Sequence, residues 1–79
     1  MEKWIKYVSR LRRKEQLLLL ETVGLIMKNQ TAGLAMKKLK GHKNVYRVRI
    51  GRYRIIFEAG KTQNFIIKVD EKDDHTYKF

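Results

Sequence analysis

The sequence predicts an α+β domain in which an N-terminal helical hairpin packs on a small antiparallel β-sheet. Three observations carry that expectation. Apolar residues recur at helical spacing through the first third of the chain, the period changes to two after Gly41, and a two-residue turn signal at Gly51 and Arg52 sits inside the alternating stretch. No internal repeat, low-complexity segment or linker interrupts the pattern, so residues 1–79 form one domain. A chain this short hides only about 60% of its unfolded surface on folding, so its core is thin. A hydrophobic content of 43% is enough to expect folding rather than disorder.

Taken in order, Trp4, Ile5, Val8 and Leu11 mark a short first helix, with Lys3, Lys6, Arg10 and Arg12 on its remaining surface. After the basic run Arg12, Arg13 and Lys14, the residues Leu19, Val23 and Ile26, with Leu20 and Met27, mark a longer second helix. No Gly or Pro separates the two, so one continuous helix is the alternative. Asn29, Gln30, Thr31 and Gly33 end the apolar pattern, and Leu34, Met36 and Leu39 are expected in a loop or a last helical turn leading to Gly41. From Val45 to Phe57 the chain alternates. Gly in the first central position of the Gly51, Arg52 turn suits type II′ geometry, which pairs Ile50 with Tyr53, Val48 with Ile55 and Tyr46 with Phe57 on the core face. The same register sets Arg49 across from Arg54 on the other face, with Arg47 opposite Ile56. A third strand, Phe65 to Val69, returns after the turn at Ala59 to Gln63, with Phe65, Ile67 and Val69 facing the core.

Charge narrows the function classes. Nineteen Lys and Arg against eight Asp and Glu leave a formal +11, which calls for an anionic partner without naming it. The absence of cysteine excludes a disulfide framework, a thiolate nucleophile and the usual zinc-ribbon and finger patterns, and fits a reducing, cytoplasmic setting. The apolar runs Leu17 to Leu20 and Leu25 to Met27 are far short of the roughly 20 residues that span a bilayer, and Glu2, Lys3 and Trp4 do not open an export signal. Membrane-surface binding is disfavoured too, because the basic residues from Arg47 to Arg54 lie on strands and not opposite a lipid-facing helical stripe.

Arg49 facing Arg54 is mildly destabilising unless an anion lies between them, and planar guanidinium groups grip phosphate with two parallel hydrogen bonds. A solvated basic face is the competing reading. The carboxylates Asp70, Glu71, Asp73 and Asp74 lack the Gly and terminal Glu of a calcium loop, so a salt-bridged edge to the basic face is expected of them instead of a metal site.

Lys38, Leu39, Lys40 and Gly41, followed by Val45 through Phe57 with its Tyr46, Arg47, Val48, Arg49 strand and its Tyr53, Arg54, Ile55, Ile56, Phe57 return, resemble the core pattern of the RelE/ParE toxin superfamily. The run from Val69 to Tyr77 is similar to that family's last strand and tail. The match covers about half the chain, and the helices fit by position and character. The resemblance implies the toxin of a type II toxin-antitoxin system, a ribosome-dependent mRNA endoribonuclease in which a ribose 2′-hydroxyl attacks the adjacent phosphate with no metal or cofactor. It places Arg47, Arg49 and Arg54 at the family's basic and phosphate-holding positions, Lys72 at its C-terminal arginine, and Tyr77 at the tyrosine that stacks on a base. Lys38, Lys40 and Arg52 are read as RNA-binding. Implied partners are the ribosome with mRNA and a cognate acidic antitoxin.

Departures from the family pattern are informative. Arginine suits charge stabilisation and not proton abstraction, so the general base is not Arg47 or Arg49. His75 is the natural candidate for acid or base, against the plainer reading of a solvated tail residue; His42, in the loop before the alternating stretch, carries less signal. Tyr77 can stack on a base or pack on the sheet with Phe79. The family opens with a strand, whereas this chain enters its first helix almost at once, so a three-stranded sheet with an uncovered edge is expected, which an antitoxin would cover together with the basic face. Two alternatives are a gyrase-directed toxin of the same fold and a catalytically inactive nucleic-acid-binding domain.

Overall fold

The computed structural model describes residues 2–71. Lys72, His75 and Tyr77, with Asp73, Asp74 and Phe79, lie outside the described residues. Two helices are followed by four strands in a single antiparallel sheet, in the order of the chain: α1 (Lys3–Ser9), α2 (Arg13–Met27), β1 (Ala35–Lys38), β2 (Val45–Ile50), β3 (Tyr53–Ala59) and β4 (Asn64–Glu71). The architecture is the α+β arrangement of a helical hairpin on a small sheet.

The hairpin is two helices and not one. Arg12 adopts an extended conformation (φ −63°, ψ 151°) that interrupts the helical backbone, and the Gln16 side-chain amide donates to the Ser9 carbonyl at 2.8 Å across the break. The far end of α2 is closed by a left-handed residue, Asn29, at φ 58°. Beyond it the Gln30 amide donates to the Leu25 carbonyl at 2.8 Å and the Asn29 amide to the Ile26 carbonyl at 3.0 Å, the paired bonds of a Schellman ending. The Ile26 carbonyl accepts a further bond, at 2.8 Å, from the buried side chain of Asn64 at the start of β4. This bond ties the end of α2 to the last strand.

The β2–β3 register is the one expected from the turn. Gly51 has φ +59° and Arg52 does not share the positive φ, as a type II′ turn requires. Ile50 pairs with Tyr53, Val48 with Ile55, Tyr46 with Phe57, Arg49 with Arg54, and Arg47 with Ile56. Val48, Tyr53, Ile55 and Phe57 meet Val8, Leu19, Val23, Ile26 and Val69 in one buried cluster beneath the helices. α1 rests mainly on β4, and α2 touches the same strand.

Two expectations are corrected. The segment after Gly33 is a strand and neither a loop nor a helical turn: Ala35–Lys38 pairs with β2 through Ala35 with Arg49, Met36 with Val48, Lys37 with Arg47 and Lys38 with Tyr46. The sheet therefore has four strands and not three. In β4, Val69 is buried as expected, but Phe65 and Ile67 are each 51% exposed. The β3–β4 register slips between Ile56 and Phe57, where Ile56 pairs with Lys68 and Phe57 with Ile66, leaving Ile67 as an extra residue. The bulge reverses side-chain parity, so the half-buried Ile66 and the buried Asn64 take the inward places of Ile67 and Phe65. Among the described residues no helix is long and apolar enough to cross a membrane.

Candidate functional site

Strand register places the basic residues in two adjacent rows on the sheet face away from the helices. One row runs Lys37, Arg47, Ile56, Lys68 from β1 to β4; the next runs Ala35, Arg49, Arg54, Asp70. At about 4.8 Å between strands each row crosses the sheet in about 14 Å. Five cations and one carboxylate thus share a small area, with Ile56 as an apolar patch between them.

Against this face the β1–β2 loop folds over to complete a groove of about 470 Å³. Its walls are Leu39, Lys40 and His42 from the loop, Arg47 from β2, Arg54 and Ile56 from β3, and Lys68 and Asp70 from β4. Gly41, at φ +79°, provides the left-handed turn that brings His42 back over the sheet. A second trough, lined by Lys38, Leu39, Lys40, Gly41, His42 and Lys43, shares Leu39, Lys40 and His42 with the groove. A basic path therefore continues from the sheet onto the loop.

Within the groove Arg54 is only 8% exposed. Its guanidinium meets Asp70 with both prongs, Nε to Oδ1 at 2.9 Å and the terminal nitrogen to Oδ2 at 3.0 Å, and the Lys68 ammonium lies 3.3 Å from Oδ2. Asp70 stands in the plane where a phosphate would be gripped in the same bidentate manner. Among the described residues Arg47 and Arg49 make no ion pair, and His42 makes no side-chain hydrogen bond.

Of the residues singled out in the sequence, Lys40, Arg47 and Arg54 converge on the groove, Arg49 lies on the same face beside it, and Lys38 lines the adjoining trough. Arg52 goes elsewhere. From the hairpin turn it reaches to the helix side, donating to Glu15 at 3.0 Å and lying 3.8 Å from Glu71, with its guanidinium carbon 5.6 Å from the Tyr53 ring centre. The Tyr53 hydroxyl also donates to Glu15, at 2.6 Å. That bond, with the Arg52 guanidinium beside it, holds the Glu15 carboxyl below its ordinary range, and its retention together with burial pushes the Tyr53 hydroxyl up. The salt-bridged edge to the basic face expected of the carboxylates is present for Asp70, whereas Glu71 lies near Arg52 on the helix side.

His42, Lys37, Lys68 and Asp70 join the site without having been singled out as its members. For Lys68 the signal lay in the alternation, since it neighbours the inward Val69 in the expected strand, whereas Lys37 joins the row only through the pairing of β1 with β2. His42 carried no such signal, because the course of a loop is not periodic.

No family model matches the sequence, and no curated relative does. Among solved structures, one chain of a RelB-RelE antitoxin-toxin complex from Methanococcus jannaschii superposes with a TM-score of 0.66 at 22% identity, over 91% of this chain and 87% of that chain. At this identity the likeness is one of fold.

Proposed function

We propose that the protein is the toxin of a type II toxin-antitoxin system, a metal-independent endoribonuclease that cuts mRNA on the ribosome. The observation that carries this reading is the groove in which Lys40, Arg47, Arg54 and Lys68 surround Ile56 on an open sheet face, with Arg49 alongside. The fold shared with a component of the archaeal antitoxin-toxin complex supports it. Single-stranded RNA suits such a surface: its phosphates meet the guanidinium and ammonium groups, while an unstacked base can rest on apolar or aromatic surface.

In the proposed reaction a ribose 2′-oxygen attacks the neighbouring phosphorus and the bond to the 5′-oxygen breaks. Arg47 and Arg49, permanently protonated, stabilise the charge that builds on the phosphoryl oxygens. Arg54 anchors the phosphate by exchanging part of its bond to Asp70 for it. Lys38 and Lys40 hold the flanking backbone, whereas Arg52, engaged by Glu15 on the helix side, takes no part. Lys72, His75 and Tyr77 are assigned to the same site through the family pattern, Tyr77 as the stacking residue and His75 as a proton carrier. The inhibiting partner is an acidic antitoxin able to compete for the basic face.

Primer extension on an actively translated mRNA tests the reading. Cuts within the occupied reading frame that disappear with Arg47→Ala are expected. Intact message in the presence of well-folded wild-type protein would move the assignment to a second reading, an RNA-binding domain without cleavage, which the bidentate engagement of Arg54 by Asp70 favours.

A further inference from the structure

The groove contains several cations but needs a group that can accept a proton, and its lining narrows the choice. Arg47 and Arg54 keep their protons at any ordinary pH. Lys40 and Lys68 are ammonium groups by type, and Lys68 is drawn to Asp70 at 3.3 Å. Both oxygens of Asp70 are taken, Oδ1 by Arg54 at 2.9 Å and Oδ2 by Arg54 at 3.0 Å and Lys68. Imidazole remains. His42 lines the groove and the adjoining trough, turned there by Gly41, and neither ring nitrogen is engaged by a hydrogen bond or ion pair among the described residues. A histidine whose nitrogens are both uncommitted in a cationic groove is placed to handle a proton and not to hold the fold.

We propose that His42 is a catalytic residue of this groove, the general base for RNA cleavage; the assignment rests on the endoribonuclease reading. One ring nitrogen of the neutral imidazole takes the proton from a ribose 2′-hydroxyl. The oxygen's electron pair forms the new bond to the adjacent phosphorus, and the phosphorus–5′-oxygen bond breaks with its electron pair leaving on the 5′-oxygen. That oxygen takes a proton from solvent, giving a 2′,3′-cyclic phosphate and a 5′-hydroxyl, and the imidazolium returns its proton to solvent. No oxidant or metal enters. The charged groups that line the groove and trough with His42 are Lys40 and Lys43 on its own loop, Lys38 on β1, Arg47 on β2, Arg54 on β3, and Lys68 and Asp70 on β4. Their net positive charge draws the phosphate beneath the imidazole.

The test compares wild type with His42→Asn, His42→Ala and His75→Asn in single-turnover cleavage of a translated mRNA, across pH about 5.5 to 8.5. Binding of a labelled single-stranded RNA is measured in parallel. His42 is exposed, so the variants keep the wild-type unfolding midpoint. The expected result is a rate lower by roughly 100- to 10,000-fold for both His42 variants, with RNA affinity unchanged, loss of the limb of the pH profile that reports the base, and recovery of His42→Ala by added imidazole. Cleavage by His42→Asn at the wild-type rate, or a loss confined to His75→Asn, would overturn the assignment while leaving the nuclease reading in place. A loss of rate matched by an equal loss of RNA affinity would also overturn it, because His42 would then only bind. Absence of cleavage by wild type would remove the nuclease reading and this assignment with it.

Discussion

Tyr53, Glu15 and Arg52 show how single side chains lock the hairpin to the helices. The Tyr53 hydroxyl gives Glu15 a 2.6 Å bond across the domain, and that bond lowers the titration of Glu15 and raises that of Tyr53. The signs set a stability window. An acid whose titration is lowered by folding stabilises the fold above its unfolded value and loses that contribution as pH falls through the folded value, here below pH about 4.5. A tyrosine whose titration is raised contributes fully below pH about 10 and loses it as pH rises through the folded value. Unfolding midpoints measured against pH should therefore fall at both ends, and Tyr53→Phe should lower the midpoint near neutrality by roughly 5 °C and flatten both slopes. A second prediction concerns Asp70. Replacing it with Asn keeps an acceptor beside Arg54 but removes the competing charge, so single-stranded RNA should bind severalfold more tightly in fluorescence anisotropy. Urea unfolding should show a loss of about 1–3 kcal/mol, because Arg54 is buried. At this scale the arginines of β2 and β3 were legible, since alternation alone fixed their face. The engagement of Arg54 by Asp70 was legible only as a general expectation of salt bridges, and His42 was legible as a loop residue but not as a wall of the groove.

Among the elements, α2 is apolar on more than one side. Leu19, Val23 and Ile26 enter the core, whereas Leu17, Leu20 and Met27, with Gly24 between them, run along the outward face and remain 57%, 49% and 42% exposed for the three large side chains. Leu20→Gln should change the unfolding free energy by no more than about 0.5 kcal/mol, while reducing concentration-dependent scattering. Asn64→Ala should behave in the opposite way, costing about 1–3 kcal/mol in urea unfolding, because it removes a buried donor to the Ile26 carbonyl at the α2 terminus. The hairpin and its register were readable because Gly51 specifies the turn and the turn specifies the pairing. β1 was not, for it is four residues long, exposed throughout, and acquires strand character from the β2 edge rather than from any alternation of its own. The bulge in β4 was hidden for a related reason: Phe65, Ile66 and Ile67 are consecutive apolar residues, and only contact with β3 decides which of them turns inward.

For the whole molecule, the excess of positive charge acts on folding and on binding in opposite directions. Added salt screens mutual repulsion among the cations and should raise the unfolding midpoint, yet it should weaken RNA binding, with a logarithmic slope of about −0.7 for each phosphate neutralised. An RNA whose affinity did not change with salt would not be held by this surface. The fold class was legible as a whole because periodicity and turn chemistry agreed, but the site was only half so, since its second wall comes from a loop and the last strand. That last strand also sets an order in time. The helices, made first, find their main support on β4, and Lys68 and Asp70 of the groove arrive with the same strand. While the chain is still being synthesised up to Gln63, its helical hairpin has only the inner face of β2 and β3 to close on, without Val69, and its basic groove has one side missing. The groove therefore comes into being only when translation has passed β4, and every shorter nascent chain carries the arginines of β2 and β3 without the wall that completes their site.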